Sequence, residues 1–187
     1  MNLTKLIPSG SQTVGPYFRI GLEYLVDQEP PGYLGLDSIE LRGKVMDGDG
    51  ARVSDAMLEF WGADSLGEYS GVTPNSSGQP IGFHRVATDD DGNFTLALDK
   101  PGPTALGDSQ FQAPHLLVLV FARGLLRHLI TRVYFGNEPG NAEDPVLIEV
   151  PAERRHTLIA SSDASNPRLF LWNVILQGEN ETVFFAW

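Results

Sequence analysis

Apolar side chains recur at every second position through most of this chain. Ile39, Leu41 and Val45 alternate with Glu40, Arg42 and Lys44, and Ala56, Leu58 and Phe60 with Met57, Glu59 and Trp61. Phe94, Leu96 and Leu98 repeat the spacing, as do Leu129, Thr131, Val133 and Phe135, and 169–176 form another run. Side chains two apart share one face of a strand, so each run predicts a strand with one face on a core. Asp47-Gly48-Asp49-Gly50 and Asp89-Asp90-Asp91-Gly92 are turn-forming clusters and predict hairpin turns. Segment 116–122 is apolar without alternation, which predicts a central strand covered on both faces. Segments 29–37 and 71–82 are rich in Gly, Pro and Ser and predict loops. Helix is expected only in short pieces, over 143–150 starting near Pro145 and over 153–160. The expected fold class is all-β: an antiparallel β-sandwich with short helical excursions and long loops, forming one domain over 1–187.

The C-terminal tail carries three aromatic residues in its last four positions, Phe184, Phe185 and Trp187. Frayed ends are usually polar, so this tail is expected to pack against its own sheet, or else against a partner chain.

Charge and composition narrow the function. A net charge of −11 with no basic run repels polyanions, so no nucleic acid is expected as a partner. With no cysteine there are neither disulfides nor thiolate metal sites. No long apolar segment precedes Pro8, and 116–122 is far too short to span a bilayer. A cytoplasmic protein without a membrane role is the expectation. The two Asp-rich turns lack the central glycine and closing glutamate of an EF-hand loop, so calcium is not expected there.

Ala113-Pro114-His115-Leu116-Leu117 resembles half of a metal site. A His-x-His pair on a strand puts two imidazoles on one face, but the second position here is Leu117, which has no lone pair to offer. His84, His128 and His156 sit in unrelated contexts and are expected to be structural or solvated.

Several segments, in order along nearly the whole chain, together resemble the intradiol ring-cleavage dioxygenases. They are Ser11-Gln12-Thr13-Val14-Gly15-Pro16-Tyr17, Leu58-Glu59-Phe60-Trp61-Gly62-Ala63-Asp64 with Gly67-Glu68-Tyr69, and Gly82-Phe83-His84-Arg85 with Thr88-Asp89-Asp90-Asp91-Gly92. Lys100-Pro101-Gly102, Gln112-Ala113-Pro114-His115, Phe121-Ala122-Arg123-Gly124, Thr131-Arg132-Val133-Tyr134-Phe135 and the stretch from Gln177 to Phe185 continue the likeness. The resemblance implies a ferric centre in which two tyrosinates and two histidines bind Fe(III), with a catechol opened between its hydroxyls by dioxygen. Hard phenolate donors suit that ion.

Carried over residue by residue, the tyrosine positions fall on Tyr69 and Thr104 and the histidine positions on His115 and Leu117. Only two of these four hold a donor of the family's kind, too few and too weakly charged for ferric iron. Tyr69 and His115 are then vestigial, serving packing or hydrogen bonding. The resemblance implies an iron-free subunit whose Fe(III) is held by a partner, an iron-bearing beta chain of the same fold, with the active site between the two. Its substrates would be protocatechuate (3,4-dihydroxybenzoate) and dioxygen, giving 3-carboxy-cis,cis-muconate. The same carry-over makes residues 1–37 an arm reaching the partner. Thr13, Gly15, Pro16 and Tyr17 would line the substrate pocket, and Arg123 would stand at its rim, able to attract a carboxylate. The bland readings are a Gly-Pro turn for the first group and a strand-end ion pair for Arg123. A different class stays open: a non-catalytic binding or carrier module with no iron-bearing partner. A self-sufficient hydrolase has no Gly-x-Ser-x-Gly element to support it.

Overall fold

The computed structural model describes residues 10–26, 38–69, 82–107 and 109–186. Strands form where the alternation predicts them, β1 (Ser38–Met46), β2 (Met57–Gly62), β4 (Asn93–Asp99) and β8 (Leu129–Phe135), and where the unbroken apolar run predicts one, β7 (His115–Phe121). β3 (Phe83–Ala87) forms without an alternating run of its own, paired to β2. The short strands β5 (Thr104–Leu106) and β6 (Gln110–Gln112) make a separate hairpin, and β9 (Ile159–Ser162), β10 (Leu169–Leu171) and β11 (Val174–Ile175) complete the set. One nine-stranded sheet runs β11-β1-β10-β9-β8-β7-β2-β3, with β4 paired to β1. Its curl brings the alternating apolar rows together: Leu41 and Val45 from β1, Leu58 and Phe60 from β2, Leu96 from β4, Val118 from β7 and Val133 and Phe135 from β8 share one core. Phe60, Phe94 and Trp172 meet ring to ring within it, at 6.0 Å and 6.4 Å.

The all-β class holds, but the sheet is mixed rather than purely antiparallel. β1 pairs in parallel with β10 and β11, and β8 with β9. Parallel neighbours need a crossover. Between β8 and β9 it is supplied by a 3-10 turn (Pro139–Ala142), the helix α2 (Pro145–Glu149) and a 3-10 segment (Ala152–Leu158). The last two fall on the stretches where short helices are expected, 143–150 and 153–160, while the turn at Pro139–Ala142 precedes them. The run 169–176 divides because Trp172 turns into the core, its ring N–H donating to the Thr157 carbonyl at 2.9 Å.

Other differences have local causes. Asp89–Gly92 closes through the Asp89 N–H to the Asn93 carbonyl, but it is not a hairpin turn, because it joins β3, which pairs with β2, to β4, which pairs with β1. Asp47–Gly50 does close on itself, through the Asp47 N–H to the Ala51 carbonyl and a bridge between Met46 and Arg52. In both turns the leading Asp carboxylate accepts N–H groups of its own turn. β7 is central, and its inner row, Leu116, Val118 and Val120, is fully buried; on the other face His115 is buried, while Leu117, Leu119 and Phe121 are half-buried. A helix, α1 (Pro16–Leu22), stands where a Gly-Pro turn was one reading. Proline at a first helical position has its φ already set, and Phe18 stacks on Phe121 at 4.9 Å, a tertiary contact that local sequence does not show.

The tail packs on its own sheet. Phe185 N–H donates to the Ile130 carbonyl at 2.7 Å, the Thr131 hydroxyl to the Val183 carbonyl at 2.7 Å, and Phe184 joins the main core. Trp187, the expected loops over 29–37 and 71–82 (Gly82 apart), and residues 1–9 and 27–37 of the expected arm lie outside the described residues. No described helix is long and apolar enough to cross a membrane.

Candidate functional site

Backbone contacts bring the first two donor positions together. The Asp64 carboxylate accepts the Leu66 and Glu68 N–H groups, each at 2.9 Å, and its carbonyl accepts Gly102 N–H at 2.8 Å. Gly67 has φ +84, and a Cβ there would lie 2.0 Å from the Pro103 carbonyl oxygen. Only glycine lets the loop carrying Tyr69 lie this close to the segment leading into Thr104. Tyr69 is half-exposed, and partial burial pushes its phenol above the usual value, against an opposing pull from the Arg132 cation and the Thr104 hydroxyl. That hydroxyl is buried beside the phenol without reaching hydrogen-bond geometry.

The other two positions lie on β7. His115 is buried, and its Nδ1 sits 2.7 Å from the Ala113 carbonyl oxygen, which can only accept. The ring is therefore protonated at Nδ1, and burial lowers its pKa, so it is held neutral. Leu117 follows on the same face, opposite Trp61 on β2 and Arg132 on β8.

Arg132 is the group that sequence reasoning missed. Its guanidinium donates to Gln112 Oε1 at 2.6 Å and to the Tyr134 hydroxyl at 3.3 Å. Tyr134 in turn donates to Asp144 Oδ1 at 3.0 Å, while its ring lies 5.5 Å from that of His115. Burial first of all pushes the Tyr134 phenol up, so it remains a neutral donor. Asp144 is wholly buried and also accepts N–H groups from Ala113, Val146 and Leu147, capping α2. The chain Gln112–Arg132–Tyr134–Asp144 thus fixes a cation beside the surviving imidazole. Only a strand-pairing register reveals it, because 112, 132 and 144 are distant in sequence.

These residues do not fit a ferric ion. Of the four carried-over positions two hold a family-type donor, one half-exposed phenol and one neutral imidazole; Leu117 offers none, and a permanent guanidinium charge stands in the same place. Among the described residues no three His, Cys, Asp or Glu side chains gather as a metal group. His128 lies against the Phe121 ring at 5.4 Å.

A second cluster collects four of the five expected pocket residues around the start of α1. The Thr13 hydroxyl accepts Gly124 N–H at 2.8 Å, tying the N-terminal segment to the end of β7. Gly15 caps α1 with φ +64, Pro16 opens the helix, and Tyr17 is 80% exposed. Arg123 is adjacent in chain to Gly124 and so joins Thr13 here. Its side chain is largely exposed, and its Nε lies 3.3 Å from Asp55 Oδ2, a partner that sequence alone does not indicate. Exposed polar and cationic groups next to an aromatic can orient an anion but carry no reaction of their own.

A family model described as Dioxygenase matches residues 22–178. The chain is 42% identical to the protocatechuate 3,4-dioxygenase alpha chain of Burkholderia cepacia, over 98% of this chain and 99% of that one. It is 39% identical to the protocatechuate 3,4-dioxygenase alpha chain of Pseudomonas putida, over 97% and 98% respectively. The protocatechuate 3,4-dioxygenase beta chain of Burkholderia cepacia is 24% identical, over 92% of this chain and 77% of that one.

Proposed function

This chain belongs to the intradiol ring-cleaving dioxygenase family, and on that premise we propose that it is the iron-free alpha subunit of a protocatechuate 3,4-dioxygenase. It joins a beta chain of the same fold, which holds Fe(III) and opens the ring of protocatechuate with dioxygen. The observation that carries the reading is the likeness to an alpha chain over 98% of this sequence. The mismatch between the residues here and a ferric ion supports it, since the chemistry must then come from another polypeptide.

In this reading the chain's own residues bind and orient. Protocatechuate is an anion, and a net charge of −11 repels it at a distance, so a local cation is needed at the mouth of the site. Arg123 supplies that cation. Thr13, Gly15, Pro16 and Tyr17 form the wall beside it, where the Gly-Pro backbone can approach a ligand closely. Exposed Tyr17, Ile20 and Tyr24 support a partner contact along this segment, because three large apolar side chains in eight residues are costly to leave in water.

Co-expression with a beta chain tests the reading. The expected result is iron in stoichiometry with the beta chain and protocatechuate cleavage by the complex. The chain purified alone should show neither, and iron with turnover in the lone chain overturns the proposal. A carrier module would instead form a stable homo-oligomer that does not bind a beta chain.

A further inference from the structure

Among the described residues neither Asp55 carboxylate oxygen has a hydrogen-bond partner, although both are buried and the side chain is only 12% exposed. A carboxylate withdrawn from water without N–H donors is destabilising, and folds rarely keep one without a use. Among the described residues the cation paired with it is Arg123, at 3.3 Å through Nε. Arg123 donates no hydrogen bond to any other described residue, and its side chain is 65% exposed.

Asp55 is itself rigidly mounted. The Thr88 hydroxyl donates to the Val53 carbonyl at 2.8 Å and accepts the Ala56 N–H at 3.0 Å, while Thr88 N–H donates to the Ala56 carbonyl at 2.9 Å. That clamp brackets Asp55 between two fixed backbone points. On the other side, Ala122 is buried and Gly124 is tied to Thr13, so the backbone on either side of Arg123 is also held. Two fixed anchors therefore face one another across a flexible side chain.

We propose that Asp55 is the positioning residue for Arg123: it holds the guanidinium by its Nε edge and leaves the terminal Nη groups directed at the carboxylate of an aromatic substrate. This rests on the reading that Arg123 lines the pocket. The role differs from charge balance. Removing a nearby anion would by itself favour an anionic substrate and lower KM, whereas losing the guanidinium's orientation raises it, so the direction of the change separates the two.

The test uses the assembled alpha–beta enzyme with protocatechuate and its uncharged methyl ester. Asp55→Asn is expected to raise KM for protocatechuate about 3- to 10-fold, with kcat within about twofold and KM for the ester unchanged. The Asp55→Asn/Arg123→Ala double variant should be no worse than Arg123→Ala alone, because the two side chains act as one unit. Should Asp55→Asn fail to assemble, Asp55→Glu reads the same split with the charge kept: a smaller rise for protocatechuate alone is expected. A KM that falls or stays unchanged in these variants, while Arg123→Ala raises it, overturns the role of Asp55 and leaves Arg123 in the pocket. A protocatechuate KM unmoved by Arg123→Ala overturns the pocket reading and the positioning role with it.

Discussion

Leu117 on β7 and Arg132 on β8 are direct cross-strand partners, so the position that would carry a second imidazole abuts a guanidinium. Replacing the lost donors is then not enough to restore a metal centre. Thr104→Tyr with Leu117→His is expected to take up no stoichiometric Fe(III) while Arg132 is present, because a fixed like charge opposes the ion. Adding Arg132→Gln should permit uptake, seen by metal analysis and by the visible band of a tyrosinate–iron bond. Full loading of the double variant with Arg132 intact would show that the cation is no barrier.

Arg123→Ala in the assembled enzyme should raise KM for protocatechuate by roughly 10- to 150-fold, the equivalent of about 1.5–3 kcal/mol for a hydrogen bond to a charged group. Steady-state kinetics decides it, and an unchanged KM removes Arg123 from the pocket.

Acid should weaken the fold through His115. Burial first of all lowers its pKa below the ordinary histidine value, so the unfolded chain binds the proton more readily than the folded one. The stabilising contribution of the neutral ring is complete above the unfolded pKa of about 6.5 and is lost as pH falls toward the lower folded value. Melting temperatures at pH 7.5 and 5.5 should therefore differ more in the parent than in His115→Gln. Equal pH sensitivity of the two would assign the acid loss elsewhere.

Asp144→Ala should destabilise by about 3 kcal/mol or more, because it removes a helix cap and strands the Ala113 N–H and the Tyr134 hydroxyl, both buried. Tyr134→Phe, which deletes the bond to Asp144 and the longer one from Arg132 but leaves the helix cap, should cost less, about 1–2 kcal/mol. Urea denaturation would report both, and a similar loss from the two variants would contradict the central place given to Asp144.

Gly67→Ala should cost on the order of 1–3 kcal/mol through its left-handed backbone and the contact with Pro103. The accompanying change should appear at Tyr69, whose fluorescence would report greater exposure. A variant as stable as the parent would mean that the two loops can separate without penalty.

The strands carrying the core were legible because alternation is written locally: Leu58 and Phe60, or Val133 and Phe135, announce their shared face within one run. The donor deficit was legible too, since Thr104 and Leu117 are single positions within recognisable segments. What sequence did not reveal was pairing at a distance. The parallel neighbours of β1 depend on where the chain returns after α2, and α1 depends on Phe18 meeting Phe121 across a hundred residues. Arg132 looked like one more alternating polar position until β7 set it against Leu117. Asp55 belongs to none of the motifs in the sequence, and only the fold brings it to Arg123.

Leu117 lies outside both apolar clusters, and the loops bearing Tyr69 and Thr104 are joined through main-chain atoms and glycines. Buried His115 apart, the donor positions therefore stand outside the apolar packing that holds the fold. A duplicated gene copy could shed its metal grip one substitution at a time without ever passing through an unfolded ancestor. It would then be free to specialise in holding what its sibling transforms.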